Sequence, residues 1–368
     1  MHKPIHIVSF DVPFPPDYGG VLDVYLRAKG LKDLGYYVIL HCYEYGRGRT
    51  HDFSEIANEV HYYERKTGMK SLLSSLPYIV KSRNSQALLD RLMQDRHPVL
   101  LEGQHDTFWA NELSKDRRLC AIRMHNVEWH YYRDLALTAK TTSERLFFHL
   151  ESRKLKKQEL NLKGIPVLCI SESDREYYHQ LGFRAVYLPV TIHHDLVLEP
   201  LEAAPFALYH GNLSVAENQE AIRKLIAENK RTPLEFPVVI AGKNPSPMLI
   251  KSIESQGWKC IADPSDSELN DLMRSCKLHL LIGFKTTGIK LKVIRALLTG
   301  KPCIATKEMV GLPSLEKHCG IWNPALSLAE KIREVLEGEP VQATDRLEEL
   351  EAAFGVERLQ EVLKEIGF

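Results

Sequence analysis

The chain has 368 residues, more than one hydrophobic core ordinarily supports, so two domains are the starting expectation. Apolar residues make up 44% and charged residues 26%, and 48 Lys and Arg balance 48 Asp and Glu. That composition excludes a disordered chain and one that coats nucleic acid, so any positive site is local.

Met1, His2 and Lys3 lead directly into a short apolar run, without a signal peptide's apolar core or cleavage site, which predicts a cytoplasmic protein. No apolar stretch approaches the ~20 residues needed to span a bilayer. Seven scattered cysteines with no CxxC pair argue against a disulfide framework or a thiolate metal site.

In chain order, short apolar runs suited to buried parallel strands (5–10, 37–43, 99–102, 120–125, 167–171) alternate with longer helical patterns, which reads as α/β. Tyr18, Gly19 and Gly20 open the first helix, which ends near Gly35. Residues 69–80, flanked by Lys66, Lys70, Lys81 and Arg83, read as a helix packed on the first domain; the alternative is contact with an anionic membrane surface or a lipid-linked acceptor. Trp129, His130, Tyr131 and Tyr132 read as helical core packing. A polar, proline-containing break from 188 to 205 separates a first domain, 1–190, from a second, 191–349, whose strands are expected at 206–209, 237–241, 259–262, 278–282 and 303–306. The tail reads as one or two closing helices with apolar positions including Leu350, Phe354, Leu359, Val362 and Leu363.

Several strand exits carry chemistry. Gly19 and Gly20 follow a strand and begin a helix, where free backbone N–H groups receive an anion or a sugar hydroxyl; the plain alternative is a tight turn. In the second domain, Thr286, Thr287, Gly288, Ile289 and Lys290 lie between a strand and a helix and suit a diphosphate cradle, although neither P-loop nor GxGxxG spacing is present. Arg123, His125, Asn126 and Glu128 end an apolar run with four polar side chains, and a histidine there can bond to a substrate hydroxyl or share a proton. Asp263 and Asp266 have the wrong spacing for a metal-nucleotide DxD pair and suit a helix N-cap, so no metal is expected.

These segments, in this order, resemble glycosyltransferase family 4 and its bacterial relatives over nearly the whole chain: 14–20, 123–128, 170–176, 210–213, 241–243, and 287–292 continuing to 300–302. The resemblance implies a GT-B fold, two Rossmann-like domains facing each other across a cleft, with the C-terminal helix 350–368 crossing back onto the first. It implies an acceptor-binding first domain, a second domain binding a UDP- or GDP-sugar as co-substrate, and metal-independent, usually retaining transfer to a saccharide or lipid-linked acceptor. No cofactor or nucleic acid is implied, and the location is cytoplasmic, peripheral at the inner membrane face. By motif, His125 and Glu128 are catalytic and Arg123 and Asn126 face the acceptor. Gly19, Gly20, Gly211, Asn212, Lys243 and 286–290 serve the donor phosphates, and Arg295 lies in the ribose region. Where many relatives carry Arg and Lys after the first strand of the donor domain, this chain has Asn212 and Glu217; where they carry a ribose-binding glutamate it has Arg295. A nucleotide-sugar 2-epimerase and a non-catalytic binding protein stay open as alternatives.

Overall fold

The computed structural model describes residues 3–16, 19–49, 51–193, 199–284, 291–338 and 343–368. The chain divides into two compact units, Met1–His193 with Ala352–Phe368, and His194–Glu351.

The first unit is built on a seven-stranded sheet: β1 (Lys3–Ser9), β2 (Tyr36–Glu44), β3 (Glu59–Glu64), β4 (Val99–Glu102), β5 (Cys120–Met124), β6 (Val167–Cys169) and β7 (Ala185–Tyr187). All pairs are parallel and the order is β3-β2-β1-β4-β5-β6-β7, so the winding reverses between β1 and β4. The second unit repeats the scheme with β8 (Ala204–Asn212), β9 (Val238–Lys243), β10 (Lys259–Ala262), β11 (Cys276–Leu281), β12 (Cys303–Ala305) and β13 (Gly320–Ile321), in the order β10-β9-β8-β11-β12-β13. Its winding reverses between β8 and β11. Strands such as Ile5, Ile7 and Val8, or Leu278, Leu280 and Leu281, are buried on both faces, as continuous apolar runs in a helix-covered parallel sheet require.

Every strand expected from an apolar run is present. Three further strands, β3, β7 and β13, lie at sheet edges, where one open side relaxes the demand for continuous apolar sequence; β3 carries Glu59, His61 and Glu64 and is mostly half-buried. Residues 69–80 do not form one helix. They form two single-turn helices, Met69–Leu72 and Tyr78–Lys81, the second with Pro77 at its N-cap; without an N–H, proline cannot continue the first turn into the second.

Two helices close the chain, Ala343–Phe354 and Val356–Ile366. The latter buries Leu359, Val362, Leu363 and Ile366 in the same core as Val21, Val24, Ala28 and Leu31 of helix Gly19–Asp33. Contact is close enough that a Cβ on Gly30 would lie 3.2 Å from Leu359 Cδ2. Among the described residues no helix is long and apolar enough to cross a membrane.

Leu363→Ala removes a fully buried side chain from this contact and is expected to cost about 2–5 kcal/mol. Leu326→Ala, at an exposed position, is expected to stay within about 0.5 kcal/mol, and urea unfolding compares the two.

Candidate functional site

In parallel α/β sheets a ligand meets the protein beyond the carboxyl ends of the strands, beside the point where the winding reverses. In the first unit that point is the β1/β4 junction, and charged side chains gather next to it.

Helix Gly19–Asp33 supplies Asp23 and Arg27, one turn apart on its buried face, while Glu102 ends β4 and Arg123 lies in β5. Arg27 forks onto Glu102 with Nε to Oε1 at 2.8 Å and Nη2 to Oε2 at 2.6 Å, and also reaches Asp23 Oδ2 at 2.8 Å. Arg123 donates to Asp23 at 3.0 and 3.2 Å and to the carbonyls of Leu188 and Pro189. All four side chains are sealed from solvent. Burial works against both carboxylates, yet Arg123 and Arg27 hold Asp23 well below its usual range, and Arg27 and His125 lower Glu102. Arg27 is held above its usual value by the two carboxylates, against the effect of burial.

His125, one residue past β5, sits on this cluster with Nε2 3.2 Å from Glu102 and Nδ1 3.5 Å from Asp23. Phe10 packs edge-on against its ring. Gly103 lets the β4 exit pass this closely: its φ is +91°, and a Cβ there would meet His105 Nδ1 at 2.9 Å and His125 Cδ2 at 3.6 Å.

Glu128 begins helix Glu128–Thr138 and is almost completely buried. Burial pushes its carboxyl up to about 7, against a hydrogen bond from Asn126 and the charge of Arg83. The turn that carries it is tied down by Trp129, whose Nε1 donates to Tyr177 Oη at 2.7 Å; Tyr177 in turn donates to Glu159 at 2.8 Å. Nearby, Asp106 is sealed with both carboxylate oxygens lacking a hydrogen-bond partner among the described residues, and burial pushes it well above its usual range. Its nearest cation is Arg83 at 3.8 Å.

Of the strand-end residues picked out from sequence, Arg123 and His125 join the cluster. Arg123, expected to face an acceptor, is fully buried and turned onto Asp23. Asn126 bonds to Glu128. Asp23, Arg27 and Glu102 were not picked out from sequence. An acid and an arginine four apart on an otherwise apolar helix face, and an acid closing the run 99–102, were the available signals. Asp23, Glu102 and His125 place ligand-type atoms within 4.8 Å of one another. The two guanidiniums already occupy the carboxylate oxygens and balance their charge, so this donor set does not suit a divalent ion.

Gly19 is the first residue of its helix, and a Cβ there would meet no described atom within 4 Å, so packing among the described residues does not call for glycine. Gly20 follows in the same first turn.

In the second unit, Gly211 and Asn212 of β8 pair with Gly242 and Lys243 of β9. A Cβ on Gly242 would lie 1.8 Å from the Gly211 carbonyl oxygen, so this glycine is set by the strands' approach. Asn212 turns its side-chain oxygen onto Ser214, accepting from its N at 3.0 Å and Oγ at 2.7 Å, whereas Lys243 is exposed. Lys292 reaches Asn218 at 3.3 Å and lies over the Tyr209 ring. Arg295 donates to Asn270 at 2.9 Å, and burial lowers it from its usual value. Beyond β11, Gly283 N donates to Thr306 Oγ1 at 3.0 Å, and Lys224 stacks on Phe284 at 3.5 Å. Thr286, Thr287, Gly288, Ile289 and Lys290 lie outside the described residues.

Asp23→Ala leaves two buried guanidiniums short of a counter-charge and is expected to cost about 3–5 kcal/mol by chemical denaturation. Glu128 has a raised folded-state value, so its stabilising effect is complete below about pH 4.5 and is lost as pH rises through about 7. Glu128→Gln removes that dependence. The variant's stability relative to the parent should therefore rise across this window, by about 3 kcal/mol in unfolding measurements at pH 5 and pH 8.

The chain matches no protein-family model. A curated relative, an uncharacterised 44.6 kDa protein in the cps region of Klebsiella pneumoniae, is 25% identical over 322 residues, 80% of either chain. Solved structures align over almost the entire chain. Sucrose-phosphate synthase from Thermosynechococcus elongatus gives a TM-score of 0.70 at 14% identity, covering 99% of both chains. A glycosyltransferase from Rickettsia africae gives 0.67 at 15%, covering 99% of this chain and 98% of that one. Anabaena HepE, solved in complex with UDP-glucose, gives 0.65 at 15%, covering 99% of both. With its seven- and six-stranded parallel sheets, the chain has the GT-B fold.

Proposed function

We infer that the chain is a glycosyltransferase akin to family 4, moving a sugar from a nucleoside diphosphate to a saccharide or lipid-linked acceptor in cell-surface polysaccharide or glycolipid synthesis. The observation that carries this reading is the fold, which extends over both full chains in the comparison with a structure solved with UDP-glucose. The site chemistry agrees with it. The second unit holds the donor and the first the acceptor, at the cytoplasmic face of the membrane. Leaving-group charge on the diphosphate is met by backbone N–H groups and by cations such as Lys243 and the 286–290 segment, without a metal. Gly19, beside which the fold leaves room, and Gly20 approach the donor phosphate or the acceptor. His125 orients the transferred sugar, held in place by Glu102 and Asp23. Glu128, with a carboxyl near 7, exchanges a proton at neutral pH, and retention of configuration is the expected outcome.

A non-catalytic binding protein is the second reading. It is favoured by Asn212, whose side chain closes a turn where relatives place a cation, and by Arg295, tethered to Asn270.

Thermal unfolding against UDP-, GDP- and ADP-sugars separates the two. At about 100 times its Kd, one donor is expected to add about 2.7 kcal/mol. His125→Ala and Glu128→Gln are expected to keep that shift while lowering release of nucleoside diphosphate about 100-fold or more. No shift with any nucleotide would select the binding protein.

A further inference from the structure

The surface outside these strand ends is uneven in charge. Between Glu64 and Asp90 the sequence carries Arg65, Lys66, Lys70, Lys81 and Arg83 and no acid, in a chain whose charges otherwise cancel. Arg83 is buried, but Lys66 and Lys70 face solvent. Between them and just beyond, Met69 and Leu73 are 65% and 77% exposed, and Leu72 is also exposed. Met69 and Leu73, at the two ends of this single helical turn, bury little surface within their own unit.

The segment is anchored to a helical hairpin formed by Glu128–Thr138 and Thr142–Leu160. Tyr78 N donates to Glu151 at 2.6 Å, Ile79 and Val80 pack on Leu155, and Lys154 Nζ reaches the Leu72 carbonyl at 3.4 Å. Leu146, Leu150 and Lys154 are spaced four apart and form one row along the second helix, leading toward Leu72. Leu146 and Leu150 are 58% and 46% exposed. Of this helix's acids, Glu151 and Glu159 are buried and Glu144 closes the capping box with Thr141, while Arg145, Arg153, Lys156 and Lys157 face solvent. Leucines are thus presented among cations, with Glu144, the helix's one exposed acid, engaged in its N-terminal cap.

We propose that this face docks on an anionic lipid bilayer, with Met69, Leu72, Leu73, Leu146 and Leu150 entering the headgroup boundary and the surrounding lysines and arginines meeting lipid phosphates. The composition favours lipid over a protein partner. Protein interfaces concentrate aromatics at their centre and deplete lysine, whereas leucines flanked by lysine and arginine match interfacial membrane helices. Each cation near such a surface strengthens binding roughly fivefold. The proposal is independent of glycosyl transfer and locates the first unit at a membrane whichever ligand it handles.

The test is co-sedimentation of the full chain with vesicles of phosphatidylcholine alone and of equal parts phosphatidylcholine and phosphatidylglycerol. Binding is expected only to the second and should weaken as salt is added. Leu72→Ser with Leu73→Ser, and separately Lys70→Glu with Lys157→Glu, are each expected to reduce binding roughly tenfold or more with the melting temperature unchanged. Absence of binding to the anionic vesicles, or equal binding by both variants, overturns the proposal. A concentration-dependent dimer in sedimentation velocity that the leucine variant abolishes would also overturn it and assign the face to a second copy.

Discussion

Withdrawing Asp23, Arg27, Glu102 and Arg123 from water would cost several kcal/mol per ion if each stood alone, and their mutual pairing is what makes the first unit's site possible. The pairing is geometric as well as electrostatic. Arg27 forks onto Glu102, which fixes helix Gly19–Asp33 against the end of β4. Arg123 joins Asp23 to the carbonyls of Leu188 and Pro189, which fixes the same helix against the chain leaving β7. Three distant parts of the sequence are therefore held together by four charges that sum to zero. His125 inherits its orientation from this arrangement, because the carboxylate oxygens facing its two ring nitrogens are themselves held by arginines.

Glu128 lies three residues further along and experiences the opposite environment. It is buried without an ion-pair partner among the described residues, so desolvation dominates and the carboxyl is pushed up to about 7. Asp106 shows the same effect more strongly, with both oxygens unpartnered. A carboxylate pair held ionised by arginines thus stands beside carboxyls held toward the neutral form by burial. Divergent environments of this kind are how one site keeps acids and bases distinct at a single pH.

Much of the architecture was legible because buried parallel strands need continuous apolar runs, and those runs are local in sequence. β3, β7 and β13 escaped because edge strands are shorter or half polar. The 69–80 segment misled because its apolar spacing suits a helix, while Pro77 denies the backbone continuity that spacing cannot report. At the site, His125 and Glu128 stood out because polarity changes sharply at the end of β5. Asp23, Arg27 and Glu102 did not, because their meaning depends on partners 75 to 100 residues away, and an acid inside a helix looks like a solvated face until its burial is known. Arg123 was noticed for its charge, but its inward direction belongs to the tertiary structure.

The two sheets solve one geometric problem in different ways. Each ends its strands beside a reversal of winding, where polar backbone ends converge and need either partners or water. The first unit fills that space with a sealed, charge-balanced cluster. The second brings main chains close together there. Gly211 and Gly242 lie side by side at paired positions, and Gly242 is obligatory because the Gly211 carbonyl occupies the place of its Cβ. Thr306 holds Gly283 beyond the end of β11 by its backbone, and Met309 packs so close that a Cβ on Gly283 would lie 2.2 Å from its Cε. Gly242 and Gly283 are buried and Gly211 is half-buried, with exposed Lys243 alongside. Recognition by N–H groups depends less on individual side chains than recognition by a cationic grip. On the proposed reading as a glycosyltransferase, Asn212, engaged with Ser214, leaves the donor phosphates to N–H groups and to exposed Lys243.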